Sequence, residues 1–251
     1  MLNLKSSKTQ LIIFLTALAL TLAIREKDFT FLWAFAIAVL AATLIESLIL
    51  YLTTKSFKIT ESSIITGMII GYVLSSDEVW WKIVLTALLA ISSKYLIVFK
   101  KRHIFNPAAW GIFLSTLLLG AATQWRGTYL WYILAPFGIY FAHRLKKTEI
   151  IIGYGIIALA LFGTQAILQR VSLINIFGYF SYFYIFIMVI EPMTTPLKSL
   201  AKYLFGAGTA ALVFVFTEAG VRFDAELFSL LLMNIAVLML NKIPLNKGDL
   251  G

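Results

Sequence analysis

The chain has 251 residues, of which 61% are hydrophobic and 15% aromatic, and its mean hydropathy is +0.91. This composition excludes an ordinary soluble globular domain and indicates an integral membrane protein. The formal net charge of +9 is compatible with a nucleic-acid partner, but the distribution of the basic residues favours membrane topology instead.

Apolar runs recur along the whole chain, each close to the about 20 residues that a helix needs to cross a bilayer. They predict an all-α, polytopic integral membrane protein with about ten transmembrane helices. The predicted spans are 10–24, 30–53, 62–76, 79–99, 106–124, 127–143, 149–168, 173–191, 200–217 and 227–243. The first run resembles a signal peptide, but IREKD after it offers no small-residue cleavage site, so it is predicted to stay as the first span.

Basic residues between the spans fall mainly on one side of the predicted membrane. Placing the N-terminus in the cytoplasm puts fourteen lysines and arginines there, Lys147 and Lys198 among them, and six on the outer side. This asymmetry satisfies the positive-inside rule. We therefore expect a multi-pass protein of the plasma (inner) membrane with both termini cytoplasmic, and a lipid bilayer rather than nucleic acid as its surroundings.

Residue types that commonly hold metals are scarce. The chain contains no cysteine, which excludes disulfides and iron–sulfur clusters. Its two histidines, His103 and His143, both lie at predicted cytoplasmic ends of spans. They cannot form the two-sided ligand pairs of a transmembrane diheme protein, and no metal site is predicted.

Ten spans divide into two sets of five. Because five is odd, similar halves would cross the membrane in opposite orientations, so residues 1–251 are predicted to form one membrane domain with inverted pseudo-repeats at 1–125 and 126–251. The segment 62–76 is short and contains two glycines, and its counterpart in the second half ends in EPMTTP at 191–196. Both are interpreted as broken helices that face a midplane site, with a tilted or re-entrant packing helix as the alternative.

Two charged residues lie inside predicted spans. Glu46 is in the second span and Lys94 is in the fourth, and both approach the same cytoplasmic side. Burying either charge alone would cost several kcal/mol, so both are predicted to point into the helix bundle. They either form a structural ion pair, with Lys94 able to extend to the interface, or act in a proton or cation relay.

The stretch FNPAAWG at 105–111 is predicted to start a helix at the membrane surface. Pro107 suits the first helical turn, and Asn106 before it can cap the orphan N–H groups. Small residues then allow a helix or a flat ligand to approach the backbone closely. A plain helix cap explains the same pattern without a function.

EPMTTPLKS at 191–199 is predicted to have the same character on the same side of the membrane. Glu191 ends a span, and Thr194 and Thr195 offer hydroxyl groups. Glu191 either pairs with Lys198 at the rim or lines the edge of a cofactor and takes part in an ion relay.

These two stretches suggest one shared site. We hypothesise that FNPAAWG and EPMTTP converge on one pocket, in which Asn106 and Thr194 are polar groups and Trp110 is a stacking surface for a planar ring. The alternative is two unrelated helix caps that lie far apart.

Several motifs together carry a family resemblance. TGMIIGYVLSSDEVWWKI, SSKYLIVFKKRHIFNPAAWGIF, IEPMTTPLKSLAKYLFGAG and LFSLLLMN follow one another in this order. This order resembles the RnfD family of membrane proteins from Rnf-type electron-transport complexes. It is also similar, more distantly, to the NqrB family from the sodium-translocating NADH:quinone oxidoreductase. The resemblance extends over roughly residues 30–243, and the FNPA and EPMTTP elements are specific only in combination.

The resemblance implies a ten-helix component of a translocase complex, which carries flavin and moves electrons with coupled ion movement beside other membrane subunits. In most members of the family, FMN is joined through its phosphate to the threonine of an S/T-G-A-T motif in the outer loop between the fifth and sixth spans. Here Gly120-Ala121-Ala122-Thr123 lacks the Ser or Thr before the glycine. Thr123 is the candidate attachment point, and a plain threonine at a helix end is the alternative.

The leading function is therefore a membrane subunit of an electron-transport complex, which binds FMN, riboflavin or a quinone noncovalently if it binds one. The chain would then be part of an oxidoreductase rather than a stand-alone enzyme. A small-solute transporter or channel built on an inverted repeat, and a scaffold subunit without a cofactor, are the alternatives.

Overall fold

The computed structural model describes residues 6–99 and 102–242, apart from the side chains of 173 and 175. The described chain is mainly helical and contains almost no sheet, which agrees with the predicted all-α class. Its α-helices are α1 (Ser7–Glu26), α2 (Phe29–Thr54), α3 (Glu61–Val73), α4 (Trp80–Leu96), α5 (Pro107–Leu119), α6 (Trp131–Arg144), α7 (Thr148–Leu168), α8 (Ser199–Glu218) and α9 (Ala225–Leu240). Two short strands, β1 (Val98–Phe99) and β2 (Arg102–His103), pair antiparallel.

Short polar residues between the apolar runs begin several helices. Asp28 accepts a hydrogen bond from the Phe31 N–H at 3.2 Å and so caps α2. Thr60 caps α3 in the same way, by accepting from the Ser63 N–H at 3.1 Å. Because a side-chain oxygen satisfies a donor that the first helical turn leaves open, these residues define where the helices start.

Four of the described helices are long and apolar enough to cross a membrane: α1, α2, α7 and α8. The helices α3, α5 and α9 are apolar but shorter. On α2, Leu40, Leu44, Leu48 and Leu52 recur at intervals of four residues, and all are exposed. Such a stripe of exposed leucines is compatible with a surface that faces lipid.

The eighth predicted span, 173–191, is not a continuous α-helix, in agreement with its interpretation as a broken helix. A 3-10 helix covers Leu173–Gly178, and a π-helix covers Tyr184–Met188. The π-helix is nevertheless buried along its whole length. Irregular backbone of this kind is stable in an apolar environment only where protein or a cavity surrounds it.

The predicted break within 62–76 is wrong, because α3 is regular throughout, and the alternative of a packing helix is the one that agrees with the structure. The two glycines serve helix packing instead. A Cβ atom on Gly67 would lie 2.6 Å from the Val39 Cα, and one on Gly71 would lie 2.9 Å from the Phe35 Cα. Glycine is needed here because α3 packs directly against the backbone of α2.

The chain divides into two compact units. The first comprises the described residues of Met1–His103 and Pro107–Gly127, and the second comprises Ile104–Asn106 and the described residues of Thr128–Gly251. In the second unit, a Cβ on Gly206 would lie 2.1 Å from the Ile150 carbonyl oxygen, so α7 and α8 also pack backbone to backbone. The inverted orientation of two halves stays a prediction.

Arg126 ties together several segments of the first unit. Its guanidinium lies 2.5 Å from the Glu26 carboxylate, 2.5 Å from the Asp28 carboxylate and 2.8 Å from the Ser76 hydroxyl. The Phe31 ring lies beneath it, with its centroid 5.1 Å from the guanidinium carbon. One cation therefore connects the α1–α2 turn to the segment that follows α3.

We predict that Arg126→Ala lowers the melting temperature in detergent, by the equivalent of about 1–3 kcal/mol, because two carboxylates lose their charge-assisted partner. Arg222→Ala, which changes an exposed arginine, is the control. A melting temperature for Arg126→Ala equal to that of the control would contradict this role.

The same cluster predicts a pH dependence. The Thr30 hydroxyl, the Phe31 N–H and Arg126 lower the pKa of Asp28 below its ordinary value of 3.8, against the opposing effect of burial. A carboxyl with a lowered pKa stabilises the fold above its ordinary pKa, and this contribution is lost as the pH falls through the folded value. The melting temperature is therefore expected to fall below pH 3.8, and to fall less steeply in Arg126→Ala.

Candidate functional site

One buried amide in the second unit joins two irregular stretches of the chain. Asn234 lies on α9, and only 1% of it is exposed. Its Oδ1 accepts a hydrogen bond from the Asn106 N–H at 2.8 Å, and its Nδ2 donates to the Thr194 carbonyl at 3.2 Å. We call Asn106, Asn234 and the turn at 191–197 the asparagine junction. Asn106 and Thr194 thus contact the same side chain, and the pocket that the sequence analysis hypothesised around them stays a prediction.

Asn106 also contacts the end of the π-helix. Its Nδ2 donates to the Met188 carbonyl at 3.4 Å. The next residue, Pro107, is the first residue of α5, as predicted. Because proline has no N–H to satisfy, it suits this first turn, and the amide of Asn106 is used for a contact between distant segments.

The turn at 191–197 is held by its own side chains. The Thr194 hydroxyl donates to the Glu191 carboxylate at 2.8 Å, and the Thr195 hydroxyl donates to the Glu191 carbonyl at 2.8 Å. Both threonines are buried. Their hydroxyl hydrogens are therefore engaged within the turn, but the oxygen lone pairs can still accept from a ligand.

Two further side chains hold the turn, and the sequence analysis missed both. Lys147, which is 5% exposed, donates from Nζ to the Pro196 carbonyl at 2.7 Å. Asn241 accepts from the Leu197 N–H at 3.2 Å. In the sequence, Lys147 is one of the fourteen basic residues that are predicted to be cytoplasmic. Its position just before α7 did not distinguish it from neighbouring lysines, because its partner lies 49 residues away.

The sequence also indicates that Asn234 has a special position, beyond its place in the LFSLLLMN motif. Asn234 is a polar residue within the apolar run LFSLLLMNIAVL. A polar side chain in such a run calls for a buried partner, because an unsatisfied amide in an apolar environment is costly. This argument alone predicts that Asn234 forms buried hydrogen bonds, although it does not identify their partners.

Two other predicted site residues belong to α5 in the first unit. Pro107 is buried, and Trp110 is partly exposed. The stacking role of Trp110 and the presence of one pocket at this place stay predictions.

Thr123 lies in a different environment from the one expected. It forms an isolated antiparallel bridge with Leu74. On either side, the Ser75 N–H donates to the Ala122 carbonyl at 2.9 Å, and the Gln124 N–H donates to the Val73 carbonyl at 2.7 Å. Thr123 is therefore part of a strand-like segment that runs beside the end of α3, and the interpretation as a helix-end threonine is wrong. Its role as a flavin attachment point stays a prediction.

Glu46 and Lys94 form a buried ion pair in the first unit. The Lys94 Nζ lies 3.4 Å from the Glu46 Oε2, and the side chains of Lys94 and Glu46 are 6% and 7% exposed. The Thr60 and Tyr95 hydroxyls also donate to this carboxylate, at 2.7 and 3.1 Å. Lys94 in turn donates to the Ser62 hydroxyl at 3.0 Å.

This arrangement agrees with the alternative in which Glu46 and Lys94 form a structural ion pair. Both oxygens of the Glu46 carboxylate accept hydrogen bonds, and its charge is balanced by a cation. Such a pair connects α2, the start of α3 and α4. A relay role for Glu46, Lys94 or Glu191 stays a prediction.

No family model matches the chain, and no curated protein sequence matches it at a significant level. The resemblance to the RnfD family therefore depends on the sequence motifs alone.

Two substitutions of Asn234 distinguish the contributions of the two hydrogen bonds of the junction to stability. Asn234→Ala removes both and is predicted to destabilise the protein by about 2–4 kcal/mol, because it leaves a buried N–H and a buried carbonyl without partners. Asn234→Asp keeps the acceptor for Asn106, but its ionised carboxylate cannot donate to the Thr194 carbonyl. A loss of stability is therefore expected at neutral pH, and it should be smaller at a pH where the new carboxyl is protonated and its O–H can donate. Thermal unfolding in detergent measures both, and equal melting temperatures for wild type and Asn234→Ala would contradict the junction.

For Glu46 and Lys94, a double-mutant cycle separates a structural pair from independent charges. Lys94→Met alone is predicted to cost about 3–5 kcal/mol, because it leaves the Glu46 carboxylate buried without a cation. Glu46→Gln combined with Lys94→Met should recover much of that loss. Additive effects of the two substitutions on the free energy of unfolding would show that the pair is not coupled.

Proposed function

We propose that this protein is a multi-pass membrane subunit of an ion-translocating electron-transport complex of the Rnf or sodium-translocating quinone oxidoreductase type. In this proposal it supports electron transfer through a noncovalently bound flavin, either FMN or riboflavin, or through a quinone. One observation carries the proposal: three of the motifs that suggested the family lie together at the asparagine junction.

These three motifs are far apart in sequence. Asn106 of FNPAAWG is 128 residues from Asn234 of the LMN motif, and Thr194 of EPMTTP is 40 residues from it. Each motif alone has a plain local explanation as a cap or a turn. Their contact through one buried amide favours the interpretation that the three motifs form one site. Helix caps that formed independently would not need a common partner.

The chemistry of the junction fits a planar, amphipathic ring. Such rings are held by apolar walls and a few fixed polar groups. The lone pairs of the Thr194 and Thr195 hydroxyls can accept a hydrogen bond from a ring N–H, because these hydroxyls donate their own hydrogens to Glu191. The bound flavin or quinone supplies the redox chemistry, while the chain binds and orients the ring.

The proposed location is the plasma (inner) membrane, with both termini cytoplasmic and with other membrane subunits of the complex as partners. Four apolar helices of sufficient length and the exposed leucine stripe of α2 support membrane insertion. The positive-inside distribution of lysines and arginines supports the orientation.

Purification from native membranes in mild detergent tests the proposal. We expect visible flavin absorbance or an extractable quinone in wild type, and we expect the cofactor to leave on denaturation because it is not covalently attached. Asn234→Ala should lower its occupancy, whereas Thr123→Val should retain it. Two results would overturn the proposal: protein without flavin or quinone, or a flavin that stays attached after denaturation and is lost in Thr123→Val.

A transporter or channel for a small solute is the second candidate. The buried, irregular segment that contains the π-helix favours it, because unwound backbone at membrane depth often lines a substrate path. Solute uptake into proteoliposomes that contain this chain alone, without any redox partner, would favour this second candidate.

A further inference from the structure

A small cavity in the second unit lies at the C-terminal ends of α7 and α8. Its volume is about 190 Å³, and its lining includes Phe162, Gln165, Gln169, Tyr179, Thr217 and Glu218. The first three come from the end of α7 and its C-cap, and the last two are the final residues of α8. Tyr179 directly follows the 3-10 helix. The asparagine junction uses none of these side chains.

The two helices run in the same direction, so both of their C-terminal ends meet this cavity. Near their starts, the Lys202 Nζ lies 3.1 Å from the Glu149 carboxylate, and Gly206 packs on the Ile150 carbonyl. The last turns of both helices then line the cavity together. The C-terminal end of a helix carries a partial negative charge on its open carbonyl groups. Two such ends side by side favour a cation in the cavity over an anion.

Glu218 adds a full negative charge at the same place. In the part of the chain that the structure describes, no hydrogen bond or ion pair engages its carboxylate, the side-chain amides of Gln165 and Gln169, or the Thr217 hydroxyl. An acidic side chain at the C-terminal end of a helix is unfavourable by itself, and a bound cation relieves that cost. The four side chains offer carboxylate, amide and hydroxyl oxygens, all of which accept hydrogen bonds from a charged donor.

Aromatic rings form another wall of the cavity. The rings of Phe162 and Tyr179 are stacked, with their centroids 6.2 Å apart and an angle of 14° between their planes. Phe162 is buried, whereas 57% of Tyr179 is exposed. Aromatic faces attract organic cations, and their apolar surface favours a carbon chain. A site for a metal ion such as calcium would instead surround the ion with oxygen ligands.

We propose that this cavity binds a small organic cation with a primary ammonium group. The ammonium group donates hydrogen bonds to the Glu218 carboxylate and to the oxygens of Gln165, Gln169 and Thr217, because it carries three N–H donors and no acceptor. Its carbon chain lies against the aromatic wall. Binding is noncovalent and involves no electron transfer, so the site does not rest on the proposed electron-transport function.

Two sources can supply such an ammonium group. Both α7 and α8 are long enough to cross a membrane. When they do so, their last turns lie at the membrane surface. A soluble amine can enter the cavity there, and so can the ethanolamine headgroup of a phospholipid.

Equilibrium dialysis of radiolabelled n-butylammonium with the full chain in detergent tests the proposal. We expect saturable binding to wild type and an affinity about fivefold lower in Glu218→Gln, because a partly exposed ion pair is lost. Asp77→Asn removes an exposed carboxylate of the first unit and is the matched control, with an affinity equal to that of wild type. The proposal is overturned by equal affinities of wild type and Glu218→Gln, or by wild type that shows no saturable binding.

Competition separates the classes of ligand. The alcohol n-butanol has the same carbon chain without the charge, and sodium chloride supplies an inorganic cation. At a concentration equal to that of n-butylammonium, neither is expected to displace it. Displacement by n-butanol would show a merely apolar cavity, and displacement by sodium would show a site for an inorganic cation. Either result would overturn the proposal.

Substitutions in the walls test the position of the ligand. Tyr179→Leu and Gln165→Leu are each expected to weaken binding about threefold, through loss of a cation–π contact and of a hydrogen bond. Tyr51→Leu, which changes an exposed tyrosine of α2, is the control. Unchanged affinity in both Tyr179→Leu and Gln165→Leu would overturn the placement in this cavity.

Lipid nanodiscs distinguish the two sources. A phosphatidylethanolamine headgroup in the cavity would compete with n-butylammonium, so the apparent affinity in nanodiscs of that lipid would be lower than in phosphatidylcholine, whose headgroup has no N–H donor. Equal affinities in the two lipids would assign the cavity to a soluble amine. Both outcomes support a primary ammonium ligand, provided that binding in phosphatidylcholine still depends on Glu218. Loss of that dependence in nanodiscs would overturn the proposal.

Discussion

The second unit depends on one constraint: backbone groups of irregular segments must find partners inside an apolar bundle. The chain leaves regular helix around Asn106, at the end of the π-helix and through the turn at 191–197. The side-chain amide of Asn234 forms hydrogen bonds with the backbone of two of these segments. The side-chain amide of Asn106 forms one with the third, at the Met188 carbonyl. Removing Asn234 would leave two buried backbone groups without partners, so the position of the turn depends on this side chain.

Helices pack closely against one another in both units. Gly67 and Gly71 bring α3 against α2 in the first unit, and Gly206 brings α8 against α7 in the second. Between helices in an apolar environment there is little hydrophobic driving force, so association depends on close van der Waals contact and on hydrogen bonds between helices. Glycine supplies the first of these, and the buried polar residues supply the second.

The buried charges of the two units differ in how they are compensated. Glu46 has Lys94 and two hydroxyl donors, and Lys147 has the Pro196 carbonyl. These groups are held by enough partners to act as fixed structural elements.

The sequence by itself determined the helical class, most helix positions and the start of α5. Apolar runs in a nonpolar environment must satisfy their own backbone hydrogen bonds, and Pro107 acts within a single turn, so both effects are local. It did not determine that Gly67 packs a regular helix, that 173–191 contains a π-helix, or that Thr123 pairs with Leu74. Only the tertiary structure decided these features, because each depends on a partner outside the local turn. The convergence of Asn106 and Thr194 could be hypothesised from their similar local patterns, but Asn234 as the connecting residue follows from where distant helices lie.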